Sequence, residues 1–346
     1  MADTASSNCV IIGPAGSGKT SLLGVLQFAT AQHAEQGDKA FRILPASADM
    51  GELIALSNAS VRKGKLPIAA TTGVKRYDFD YEVVHNAGGG MFRQVSRTRF
   101  RMIDTPGGAL LGDRQSWAEK NLDVEEMAKA RSEAIDQLRT ANYIMLCADS
   151  TDEEATAEFI QYLPSALMEV GTSPLTCRRM VICLTKADKY VVDTKGAIST
   201  NEEFQYEDPA ARAKRVIGRA GLNTLKFYLR DDVDIRAGWA SVYGFEAKSG
   251  LPNYDPETDG LLIDATIEAT AADILDRWHP YRVIDPFVFL TMGAPMSLNK
   301  IPALGAGIEG VAPPKMITQM QPMMTRMGTA LAGAGRWFAA IYRYLR

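Results

Sequence analysis

The sequence predicts an α/β fold, a mostly parallel twisted sheet with helices on both faces and one antiparallel hairpin strand. Three observations predict it. Short apolar runs, CVII at 9–12, YIMLCADS at 143–150 and RRMVICLTKAD at 178–188, alternate with helix-periodic stretches, as strands covered on both faces do. YDFDYEVV (77–84) alternates apolar and polar residues, HNAGGGM turns the chain, and SRTRFRMID (96–104) returns it as the second arm of a hairpin. A glycine-rich stretch separates the first strand from the first helix.

The elements follow in order. Cys9–Ile12 is the first strand and Lys19 to about Gln32 the first helix. Residues 33–70 are polar and irregular, with a helical stretch near Asp49–Ala59. After the hairpin, Asn121–Arg139 has helical spacing, 143–150 is a buried strand, Glu153–Glu169 is helical, and 178–188 is another buried strand. Residues 189–212 are charged and read as an insertion, followed by a helix to about Leu229. GWASVYGF (238–245) reads as the last strand, Ile263–Trp278 as a helix, and DPFVFL (285–290) as the start of the closing helix. The reading divides the chain into a domain over 1–293 and a segment over 294–346, Gly/Ala/Met-rich and then basic, that ends in a helical tail.

Composition narrows the function. The chain has 346 residues and a net charge of -3, whereas a phosphate-tracking surface usually shows a basic excess, so no nucleic-acid partner is expected. Three histidines and four cysteines without CxxC spacing argue against a zinc site, and the cysteines read as buried free thiols. The N-terminus has no signal-peptide pattern, and no run approaches the ~20 apolar residues of a membrane span. A cytoplasmic protein is expected.

Gly13-Pro-Ala15-Gly16-Ser17-Gly18-Lys19-Thr20 fits GxxxxGK[ST] in its proper setting, after a strand and before a helix. Such a loop wraps phosphates with successive backbone N–H groups, from Gly13 through Ser21, aided by the positive end of the helix. Lys19 would bridge the outer phosphates and Thr20 would give its hydroxyl to magnesium. Farther on, Thr185-Lys186-Ala187-Asp188 closes a buried strand. A carboxylate there can accept two hydrogen bonds, from the N1–H and the exocyclic amine of guanine, while the lysine stem packs on the base.

These motifs resemble those of Ras-like (TRAFAC-class) P-loop GTPases. TKAD resembles their [NT]KxD signature, and Asp104-Thr-Pro-Gly107 resembles DxxG, implying Asp104 near magnesium and the Gly107 amide near the γ-phosphate. Thr71-Thr72-Gly73-Val74 resembles the T-x-G-V switch segment, implying Thr71 as a further magnesium ligand, with Thr72 as the alternative. Ser241-Val242-Tyr243 resembles the short base-contacting element, which Ala247-Lys248-Ser249-Gly250 also fits. The long switch region, the DTPGG variant and WxPxxxxDP (278–286) look similar to bacterial GTPases of conflict or signalling systems.

The resemblance implies GTP/GDP and Mg2+ as ligands, and a slow GTPase whose switch segments recruit a protein effector or activating partner, or a second copy of the chain. Gly108 stands where a water-orienting glutamine is usual, and Ala15 where glycine is usual. Gln115, Arg114 and the basic stretch Arg62-Lys63-Gly64-Lys65 are candidate substitutes, against the plainer reading of solvated loop charges. A scaffold that keeps the nucleotide as a structural ligand is the alternative, and an ATPase is disfavoured by TKAD. From Gly310 to Arg346 there is no acidic residue, and Trp337, Phe338, Ile341, Tyr342 and Leu345 recur at helical spacing. This tail packs on the core or a partner, or touches the inner membrane face peripherally.

Overall fold

In a computed structural model the described residues are 7–34, 39–63, 74–87, 92–104, 117, 122–170, 176–196, 207–230, 232–257, 260–262 and 277–301. The chain divides into two compact units, Met1–Ala303 and Leu304–Arg346. The second lies outside the described residues, and the helical tail expected there lies outside them too.

The strands are β1 (Ser7–Ile12), β2 (Lys39–Pro45), β3 (Lys75–Ala87), β4 (Phe92–Asp104), β5 (Tyr143–Asp149), β6 (Arg179–Thr185), β7 (Asp234–Trp239), β8 (Ser241–Glu246), β9 (Tyr254–Asp255), β10 (Gly260–Leu261), β11 (Trp278–Tyr281) and β12 (Asn299–Lys300). The helices are α1 (Lys19–Ala34), α2 (Ala48–Arg62), α3 (Val124–Thr140), α4 (Glu153–Val170), α5 (Ala187–Lys195), α6 (Pro209–Tyr228) and α7 (Asp285–Met292). An eight-stranded sheet runs in the order β12-β7-β6-β5-β1-β4-β3-β2. Its centre, β7-β6-β5-β1-β4, is parallel, and β3 returns antiparallel on β4. This is the α/β arrangement that the sequence predicts.

Alternation in the hairpin decides which way it faces. Tyr77, Phe79, Tyr81 and Val83 point to the core, where Phe79 pairs in register with Phe100 at a ring separation of 5.2 Å. The even-numbered acids meet arginines across the strands instead, Asp80 opposite Arg99 and Glu82 opposite Arg97. A one-residue slip would exchange these faces, so the register is strongly specified. Helices α1, α2 and α7 pack on the aromatic face, with Phe287 of α7 5.0 Å from Phe100. On the other face α3 covers Ile103 with Ala130 and Ala134.

Several expectations need correction. The polar region before the hairpin contains β2, which adds antiparallel to β3, and a helix longer than the predicted stretch. Ser47 caps that helix, accepting from Met50 N at 3.2 Å and donating to Arg76 O at 2.6 Å, which anchors it to the start of β3. GWASVYGF is not one strand. It breaks at Ala240, and β8 leaves the main sheet to pair antiparallel with β11. Of the helix expected over Ile263–Trp278, residues 263–276 lie outside the described residues, and Trp278 begins a strand. Within the predicted 189–212 insertion, α5 continues to Lys195 and α6 already starts at Pro209, capped by Asp208. The four cysteines are free and buried, including Cys177, which the sequence places in a loop.

Candidate functional site

The carboxyl ends of β1, β4, β5, β6 and β7 lie along one edge of the parallel sheet, where open α/β folds gather their ligands. The loop after β1 turns through Gly13 (φ +154°), Gly16 (φ +68°) and Gly18 (φ +73°). Gly13 is there because the backbone passes against β5. A Cβ at that position would sit 2.2 Å from the Cys147 carbonyl oxygen. Ser17 folds the loop on itself by donating to Pro14 O at 2.9 Å, and Ala15 and Gly16 are left exposed at its crest. Ser21 follows, partly exposed, in the first turn of α1.

Lys19 is buried and donates to Gly13 O at 3.0 Å and Pro14 O at 2.7 Å, with Asp104 Oδ1 4.0 Å away. Burial pushes its ammonium below the ordinary lysine value, opposed by Asp104 and then Cys147. The Thr20 hydroxyl donates to Asp104 Oδ2. One hydroxyl and one carboxylate therefore meet between the head of α1 and the end of β4, an all-oxygen pair of the kind that suits a small hard cation. Among the described residues no cluster of three or more His, Cys, Asp or Glu could hold a metal by itself.

A second group forms around the end of β6. Thr185 donates to Ser17 O at 2.8 Å and to Ala148 O at 3.1 Å, which ties the glycine loop to the TKAD turn. Lys186 adopts a left-handed conformation (φ 56°, ψ 40°), and its ammonium pairs with Asp149 Oδ2 at 2.5 Å. Asp188 is 2 % exposed. Its Oδ1 accepts from the Ser241 hydroxyl, while its Oδ2 is buried without a hydrogen-bond partner among the described residues. Ser241 in turn accepts from Gly244 N at 2.7 Å. The Val242 carbonyl accepts from Trp278 Nε1 at 2.9 Å. Ala247–Gly250 forms a turn beyond β8, closed by Gly250 N on Glu246 O at 2.8 Å.

Burial raises the Asp188 carboxyl to about 6, opposed first by the Ser241 hydroxyl, then by the Lys189 and Asp188 amides and the Lys186 charge. The sign of the pH effect follows. A ligand that donates two N–H groups to this carboxylate binds its ionised form, so affinity should be full above pH 6 and fall as pH drops through about 6. Ser241→Ala removes the leading opposing donor and should move that midpoint upward. Titrating nucleotide affinity against pH for both proteins checks this, and coincident curves would disconnect Ser241 from the carboxylate.

The structure thus brings Gly13, Gly16, Ser17, Gly18, Lys19, Thr20, Asp104, Thr185, Lys186, Asp188 and Ser241 to one edge of the sheet. Thr71, Thr72, Gly107, Gly108, Arg114 and Gln115 lie outside the described residues. Three contributors escape the motif reading. Asp149 holds Lys186. Ser150 donates to Thr185 O at 2.6 Å. Trp278 reaches Val242 from 36 residues farther along the chain. Asp149 had a local signal, a charged residue closing an apolar strand, and Trp278 heads the WxPxxxxDP element, whose spacing gives no hint of the contact to Val242.

No protein-family model matches the chain, and no curated protein matches it. Among solved structures the chain is similar to the signal recognition particle receptor SRb-GTP/SRX complex from Chaetomium thermophilum, at 16% identity over 70% of this chain and 94% of that one, with a TM-score of 0.33. It is similar to a GTP-binding protein from Sulfolobus solfataricus in complex with GDP, at 16% identity over 68% of this chain and 47% of that one, with a TM-score of 0.28. The small COPII coat GTPase SAR1 from Encephalitozoon cuniculi in complex with GDP follows at 10% identity over 68% and 69%, with a TM-score of 0.27.

Proposed function

We propose that the protein binds GTP and GDP with magnesium, hydrolyses GTP slowly, and acts as a nucleotide-controlled switch that recruits a protein partner. One observation carries the reading. Asp188, buried at the same sheet edge as the glycine-rich loop, keeps one carboxylate oxygen on Ser241 and the other without a hydrogen-bond partner among the described residues. A buried acceptor of that kind costs free energy unless a ligand supplies donors, and guanine offers two in a row where adenine does not.

In this reading the loop amides from Gly13 to Ser21 and the Lys19 ammonium bind the phosphates. Thr185 keeps the loop and the base-reading turn at a fixed separation. Magnesium, held by Thr20, Asp104 and Thr71, would neutralise charge between the outer phosphates. Gly107 and Gln115 belong to the catalytic set proposed from sequence. The GTPase domain, read from sequence as 1–293, extends to 303, because β12 pairs with β7 and belongs to the first compact unit; the remaining 304–346 is assigned as a tail for partner or peripheral membrane contact in the cytoplasm. No described helix is long and apolar enough to cross a membrane.

Positioning and charge stabilisation are most of what a protein contributes to phosphoryl transfer. With Gly108 in place of a water-orienting glutamine, single-turnover hydrolysis should run at or below the order of 10⁻⁴ per second, and rise only with a partner or a second copy. Brisk turnover by the isolated monomer would contradict this. Hydrolysis that nothing accelerates would favour the scaffold reading, in which the nucleotide is a structural ligand.

A further inference from the structure

We infer that Trp278 is a positioning residue for nucleotide recognition: it fixes the base-contacting loop and ties that loop to the helix that starts at the phosphate loop. The inference rests on reading Ser241–Val242 as the base-contacting segment.

The ladder between β8 and β11 explains why a clamp is needed. Phe245 pairs with His279, and Ser241 pairs with Tyr281, so β8 moves from 245 to 241 while β11 moves only from 279 to 281. Pro280, between the two pairs, has no N–H to give. Val242, Tyr243 and Gly244 are therefore carried out of the ladder. Gly244 takes up the distortion at φ 62°, where a Cβ would meet His279 O at 1.9 Å. The Val242 carbonyl finds its donor in a side chain, the Trp278 indole at 2.9 Å. That bond fixes the plane of the peptide between Val242 and Tyr243, one residue beyond Ser241, which is the residue on Asp188.

The same tryptophan is fully buried and reaches α1 by two routes. Its ring lies 5.7 Å from Phe28, and its carbonyl accepts from Gln32 Nε2 at 3.0 Å. Helix α1 carries Lys19 and Thr20 in its first turn. One residue thus joins the phosphate-binding helix to the loop beside Asp188. It heads the WxPxxxxDP element at 278–286, outside the loops that carry the phosphate and base motifs. Loosening it should speed nucleotide release and blur base selection without removing any group that touches the nucleotide.

Trp278→Phe keeps an aromatic ring and removes the N–H. Release of a fluorescent GDP analogue should be about tenfold faster, because a buried carbonyl loses its donor, and the preference for GDP over ADP should fall. The thermal midpoint should fall by on the order of a few degrees, since the same buried carbonyl is unpaired and the smaller ring leaves a gap, so release is compared at a temperature well below both midpoints. Gln32→Ala, which removes one of the two ties between Trp278 and α1 without touching the loop, should give a smaller rise in release rate and serves if the first variant folds poorly. Asp188→Asn is measured alongside. If it exchanges guanine for xanthine preference while Trp278→Phe and Gln32→Ala both release GDP at the parental rate, the clamp is overturned and the guanine reading stands. If Asp188→Asn leaves guanine affinity unchanged, the reading beneath the clamp fails.

Discussion

Lys19→Ala should nearly abolish triphosphate binding, a loss of a hundredfold or more in affinity. The ammonium donates to two loop carbonyls and is held within reach of Asp104, so it is the buried cation at the mouth of the loop. Charge-assisted hydrogen bonds contribute about 1.5–3 kcal/mol each, and an outer phosphate would accept more than one. Thr20→Ala should behave differently, costing affinity in magnesium and little in its absence, since it removes an oxygen donor and no charge. Calorimetric titration with and without magnesium separates the two. Equal losses for Thr20→Ala under both conditions would remove it from the cation site.

Gly13→Ala should be the most damaging single-methyl change in the loop. Its Cβ would sit 2.2 Å from the Cys147 carbonyl, an atom of a central strand that cannot move aside, at a φ of +154°. Overlap with fixed backbone should cost about 2–4 kcal/mol, on the order of 3–6 °C in thermal midpoint for a domain of this size. Gly16→Ala meets nothing within 4 Å and bears only its left-handed backbone (φ +68°), a penalty of about 1 kcal/mol. Thermal unfolding of the pair is the check. A Gly13→Ala no worse than Gly16→Ala would mean that the loop does not press on β5.

Much of this architecture was legible in the sequence where the signal is local. The alternation in 77–84 predicted a half-buried strand, and the structure adds the register that places Phe79 on Phe100 and Asp80 on Arg99. The apolar runs over 143–150 and 178–188 predicted buried parallel strands, because both faces are covered, and the structure ends them at Asp149 and Thr185. What stayed hidden depends on partners far along the chain. Lys39–Pro45 holds only a short apolar run, Ala40, Phe41, Ile43 and Leu44, inside a polar region, without clean alternation and with Leu44 exposed, and becomes a strand by pairing with β3. GWASVYGF looks continuous, yet Trp278–Tyr281 draws its second half out of the sheet. The same holds at the site. Lys19, Thr20, Asp104, Thr185 and Asp188 stand at strand or loop ends that motif spacing can find, while the lock of Asp149 on Lys186 and the bond from Trp278 to Val242 are tertiary.

The central claim is that Asp188 reads guanine, and Asp188→Asn tests it most directly. The amide offers a donor where the carboxylate accepted, which suits the 2-oxo group of xanthine and mismatches the guanine amine. Affinities of the parent and the variant for GTP, XTP and ATP should be measured under one condition above pH 6, where the parental carboxylate is ionised. The account predicts that the variant loses on the order of 2–4 kcal/mol toward GTP, gains toward XTP, and stays indifferent to ATP. Unchanged GTP affinity in the variant would contradict it and remove Asp188 from the site.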